Sequence, residues 1–165
     1  MQTAVMAIAI GILAIVAYCD VVTRRIPNIL SIATAALGLV RIILADNPVS
    51  ASHTFVAGVV IFVATFLLFW CAVIGGGDAK LITAMALLVG YPNLIAFLFL
   101  MSLFGGVLAL AALARDKLRP RLVWLRSGAN GRSLIEVTPA VPEGPTVPYG
   151  LAIAAAGAIM LIITR

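Results

Sequence analysis

The chain has 165 residues, of which 64% are hydrophobic and 10% charged, with 11 Lys and Arg against 6 Asp and Glu for a formal charge of +5. A soluble domain carries close to a quarter charged residues, so water is not the solvent for most of this surface. The basic excess fits either a nucleic-acid binder or the cytoplasmic loops of a membrane protein, and the positions of the charges decide between them.

In chain order, residues 2–19 form the first charge-free apolar run. It lacks the basic start and small-residue cleavage pattern of a signal peptide, and bulky Tyr18 before Cys19 makes a poor lipoprotein site. The run is therefore kept as a first membrane span. Residues 29–44 give a second span with Arg41 near its end, and residues 55–74 a third. Residues 81–114 would make a helix of about 51 Å, too long for one crossing of a ~30 Å hydrocarbon core. Gly90-Tyr91-Pro92-Asn93 divides that run, since glycine and proline punctuate helices. The fourth span must then start early, near Gly76 or Gly77, with Asp78 and Lys80 in its opening turn and the glycine segment dipping below the membrane surface. Residues 148–164 make the sixth. The expectation is an all-α integral membrane protein, a bundle of six transmembrane helices in a single domain, 1–165.

Residues 115–147 are left as a long cytoplasmic loop. Its first part is basic and aromatic, suited to an anionic lipid surface with Trp124 at headgroup level. From Ser127 to Pro148 it turns rich in proline and glycine, so irregular structure is expected. With six spans, Arg24, Arg25, Lys80, Arg115, Lys117, Arg119, Arg121, Arg126 and Arg132 share one side, while Arg41 and Arg165 lie on the other. The crowded side is assigned to the cytoplasm and both termini to the outside. That distribution accounts for the basic excess as topology and removes nucleic acid from the expected partners.

Few ionisable residues lie beside the spans. Asp20 closes the first and Asp78 opens the fourth, on the same side. A carboxylate at the edge of hydrocarbon is costly, and two at matching depth are a functional signal. Each has a bland explanation: Asp20 can pair with Arg24 four residues on, and Asp78 can cap its helix. Together they suit an aspartic dyad, because like charges held close share a proton and leave one base and one acid. Gly75, Gly76 and Gly77 would remove bulk where a substrate backbone or the Asp20 helix approaches Asp78. Pro27 turns the chain before the second span, and Asn28 is expected to cap it. Arg24 and Lys80 either hold substrate near the acids or simply snorkel. Cys19 and Cys71 have no metal-type spacing and read as buried packing residues. His53 stands alone on the far side, so neither metal nor cofactor is expected. Gly105 with Ala109, and Ala152 with Ala156, are small pairs that let helices approach closely.

Asp20-Val21-Val22-Thr23-Arg24-Arg25-Ile26-Pro27-Asn28 and Gly75-Gly76-Gly77-Asp78-Ala79-Lys80 resemble the paired signatures of the type IV prepilin peptidase family, membrane aspartyl proteases of the GxGD type. Val147-Pro148-Tyr149-Gly150 is similar to a third family feature, and the likeness runs from Asp20 to about Gly150. It implies an aspartic endopeptidase of the bacterial inner (cytoplasmic) membrane with Asp20 and Asp78 as its catalytic pair. The implied substrate is a pilin precursor with a short basic leader, a glycine before the cut and a hydrophobic helix after it. Membrane lipids and other pilus-assembly proteins are the further partners. Larger family members carry an amino-terminal region with paired cysteines and also methylate the mature pilin. Nothing precedes the first span here, so the chain is similar to the short, peptidase-only members of Flp/Tad pilus systems, and methyltransferase activity is not expected. A presenilin-like protease would place tyrosine directly before its first aspartate, whereas Cys19 intervenes here. Outside proteolysis, the alternatives are a small ion or proton transporter and a noncatalytic pilus-assembly membrane protein. Transport sites usually lie near mid-membrane, and both acids here sit at span ends.

Overall fold

The computed structural model describes residues 2–45, 47–127 and 148–164. They form six helices: α1 (Gln2–Thr23), α2 (Asn28–Ile43), α3 (Pro48–Trp70), α4 (Gly76–Val89), α5 (Leu94–Ser127) and α6 (Tyr149–Ile163), with a 3₁₀ turn at Tyr91–Asn93. No strand occurs among the described residues. Three stretches, Ala4–Thr23, Pro48–Trp70 and Tyr91–Arg115, are long and apolar enough to cross a membrane. Helix α4 has 14 residues, about 21 Å at ~1.5 Å per residue.

The helix ends follow local chemistry. Asn47 accepts hydrogen bonds from the amides of Val49 and Ser50, and Pro48 follows it at the first helical position, so α3 starts at Pro48 instead of Phe55. It stops at Trp70, and a turn with Ala72 at φ 55° leads on to the glycines. Helix α1 continues past Cys19 to Thr23, and α5 runs through the basic stretch to Ser127. The expected loop thus begins as a continuation of a helix. Trp124's side chain, and the irregular structure expected beyond Ser127 up to Pro148, fall outside the described residues. Asn28 does not cap α2: that position belongs to Pro27, and Asn28 is the first helical residue. Cys19 is half-buried but Cys71 is exposed, so only the first fits a packing role.

Helix α4 is the centre of the bundle, with Leu81, Met85 and Leu88 among the fully buried side chains. It packs against α2 and α3 on one side and α6 on the other, and α6 in turn packs against α1 and α5. Two groups of three helices result, α2–α4 and α1 with α5 and α6, joined by α4 against α6 and by α1 against α2. Helices α3 and α5 scarcely touch. In lipid, apolar surface gains little from leaving its surroundings, so close van der Waals approach and hydrogen bonds hold helices together. Gly38 is such an approach: a Cβ there would stand 2.9 Å from Leu87 Cβ and from the Leu88 backbone nitrogen. Thr65 and Thr83 join α3 to α4 through a 3.2 Å hydroxyl contact.

The carboxyl end of α4 is clasped. Gly90, at φ +86°, breaks the helix, and the half-buried Arg41 guanidinium donates to the carbonyls of Leu88 and Val89. A cation on the last carbonyls of a helix satisfies orphan acceptors at the negative end of its dipole. The Thr54 hydroxyl accepts the next free amide, that of Tyr91, at 3.2 Å.

Gly38→Ala is expected to destabilise the protein by about 1–3 kcal/mol, because the clash is with backbone that cannot turn aside. Gly11→Ala, whose new methyl meets nothing within 4 Å, is expected to be neutral or slightly stabilising. Thermal unfolding of both variants in detergent micelles checks the contrast.

Candidate active site

Asp20 lies in the last turn of α1. Its carbonyl accepts the Arg24 amide at 3.1 Å, and Arg24 adopts φ 52°, the left-handed turn that ends the helix. The Thr23 hydroxyl donates to the Cys19 carbonyl at 2.8 Å and reinforces the same turn. Ile26 and Pro27 then carry the chain to α2.

The Asp20 side chain is buried, 6% exposed, and its Oδ2 accepts the amide of Leu151 at 2.8 Å. Leu151 is in the first turn of α6, where amides lack intrahelical partners and the helix dipole is positive. An acid on one helix therefore caps another. Gly150 makes this possible: a Cβ there would stand 2.8 Å from both Asp20 Cγ and Ile26 Cδ1.

Asp78 is in the first turn of α4, whose amino end is Gly75, with no side-chain capping bond. It is half-buried and close enough to Asp20 for the two carboxylates to repel each other. Asp20 and Asp78 lie at the same end of the bundle, although α1 does not lie against α4. Helix α6 packs against both of those helices, and its first turn carries the cap on Asp20.

The nearest neighbours of the three glycines are not on α1, so they do not make room for the Asp20 helix itself. A Cβ on Gly75 would lie 3.2 Å from Oδ2 of Asp78 itself, one on Gly76 3.1 Å from the Phe69 ring, and one on Gly77 3.5 Å from Ile26 Cβ. Ile26, half-buried, thus wedges between Gly77 of α4 and Gly150 of α6, beside Asp20. Sequence reasoning passed over both Ile26 and the Leu151 amide. The available hint was Gly150, a glycine in the opening turn of an apolar helix.

Of the other expected residues, Lys80 is exposed and its Nζ donates to Asn28 Oδ1 at 3.1 Å. That bond ties α4 to the start of α2. Pro27 is exposed at the amino end of α2, and Arg24 is exposed in the turn after α1. His53 is at the opposite end of the bundle, its ring 5.6 Å from that of Tyr91. Among the described residues no three His, Cys, Asp or Glu are grouped so as to hold a metal ion.

A cavity of about 510 Å³ begins at Asp78 and Tyr149 and runs between α3 and α5 over Ile82 and Ile153. Its lining is otherwise apolar or small, with Thr65 and Ser102 as the exceptions.

A model of the type IV leader peptidase family matches residues 7–110, which include both acids and the segments around them. Helix α6, which supplies the amide to Asp20, lies beyond the matched region. No curated protein and no solved structure matches the chain.

Gly150→Ala is expected to displace the Asp20 carboxylate or Ile26 and to cost about 1–3 kcal/mol of stability. Gly150→Ala combined with Ile26→Val is expected to recover part of that loss, since both clashes share one small space. Unfolding of the single and double variants in micelles measures the coupling.

Proposed function

Because the chain belongs to the type IV leader peptidase family, we propose that it removes the leader from pilin precursors of the Flp type, with Asp20 and Asp78 as its catalytic dyad. What supports this reading is that the buried Asp20, held at the first turn of α6, lies near enough for its charge to act on the half-buried Asp78. Two like unit charges brought to ~4 Å would repel by about 4 kcal/mol at an effective dielectric near 20, so a dyad closed to that separation shares one proton. The pair titrates as a unit.

The ionised carboxylate takes a proton from water as the oxygen attacks the scissile carbonyl. The protonated partner gives its proton to the carbonyl oxygen. Collapse of the resulting diol returns a proton from it to the pair, while the amine leaves with the other, and the dyad ends as it began. No covalent bond to the enzyme forms. In this reading all six helices span the bacterial cytoplasmic membrane, both termini lie outside and the dyad faces the cytoplasm. The basic leader stays in the cytoplasm and the hydrophobic helix of the precursor stands in the lipid. The basic stretch after Ala114 does not attract a basic leader, so anionic headgroups assist docking.

Asp20→Asn and Asp78→Asn are each expected to lower leader removal by roughly a thousandfold or more, about 4 kcal/mol of barrier. Co-production of each variant with candidate precursors, read by the mobility of the pilin, tests this. Processing by either variant at the wild-type rate would refute the dyad. In liposomes, cleavage is expected to be faster with anionic than with neutral lipid, and equal rates would remove the headgroups from the account.

A further inference from the structure

The cavity beside Asp78 lies in the seam where the two three-helix groups fail to close. Its rims are exposed, at Leu68 on α3 and at Ser102 and Gly106 on α5, so it opens sideways toward lipid. Its floor leads to Asp78 at one end. Whatever fills it in a membrane must be apolar along most of its length and present something polar at the Asp78 end. An acyl chain has nothing to offer a carboxylate there. A polypeptide helix does, because the peptide bonds at its amino end are free of intrahelical partners.

The size narrows the geometry. About 510 Å³ is far less than a helix ~10–12 Å across requires, so the occupant lies along the seam and sends only one row of side chains inward. The α5 wall permits this close approach, since Ser102, Gly105, Gly106 and Ala109 are all small. Gly105 is already covered by the Tyr149 ring, whereas a Cβ on Gly106 would meet nothing within 4 Å.

We propose that this seam is the lateral docking groove for the first turns of the precursor's membrane helix, an assignment that rests on the peptidase reading above. The helix enters from the lipid between α3 and α5 and runs alongside α4. Its amino end, and the bond to be cut, then lie level with Asp78.

The test places a benzophenone-bearing phenylalanine at position 106, or at lipid-facing position 39 of α2 as a control, in the full chain in liposomes. Each is irradiated with a precursor that the unmodified enzyme cleaves. Adducts to the precursor are expected at least tenfold more often from position 106 than from 39, and they map to the first turns of its helix. Equal yields from both positions, or adducts from 106 to lipid alone, would overturn the groove while leaving the peptidase intact. If the unmodified enzyme cleaves no candidate precursor, the peptidase reading fails and the groove assignment falls with it. Independently, Gly106→Phe should raise KM for the precursor at least tenfold with a much smaller change in kcat. An unchanged KM in a variant that melts like wild type would count against the groove.

Discussion

One hydrogen bond organises the site: the amide of Leu151 gives its proton to the carboxylate of Asp20. A buried acid needs donors, and the opening turn of a helix has amides with no other use. Placing one against the other solves both problems and fixes where α1 and α6 meet. Gly150 is required by the closeness of that meeting, and Ile26 is held beside it by the same constraint. The position of Asp20 is thus a property of three segments far apart in sequence.

Asp78 is held differently. Its helix is gripped by α2 at both ends, by Lys80 on Asn28 near the acid and by Arg41 on the last carbonyls at the other end. The two acids therefore belong to separate groups of helices that share limited contact. Their approach depends on how those groups sit against each other, and the open side between α3 and α5 is where that arrangement is least fixed by packing.

Much of this was legible in the sequence. Charge-free runs, divided at Gly90-Tyr91-Pro92-Asn93, give six helices, and the two acids stand out because carboxylates are rare beside such runs. The early start of α4 follows from length alone. The start of α3 was harder, because Ser50, Ser52, His53 and Thr54 look like a polar loop. The Thr54 and Ser52 hydroxyls bond to carbonyls of their own helix, which lets polar residues sit in an apolar helix at little cost. The continuation of α5 past Ala114 was hidden because charge marks the end of a membrane-compatible stretch, and a helix need not stop there. The cap on Asp20 was out of reach, since it joins residues 20 and 151 and no local pattern encodes a contact across that separation.

The shortness of α4 carries a consequence for the bilayer itself. At about 21 Å it falls well below a ~30 Å hydrocarbon core, while α3, with 23 residues, does not. Helices α2 and α6, with 16 and 15 residues, are nearly as short, so the middle of the bundle is shorter than α1, α3 and α5. A bilayer can thin locally to match such a core. On the peptidase reading proposed above, such thinning would draw the headgroup boundary inward at the seam and leave hydrolytic water little depth to cross.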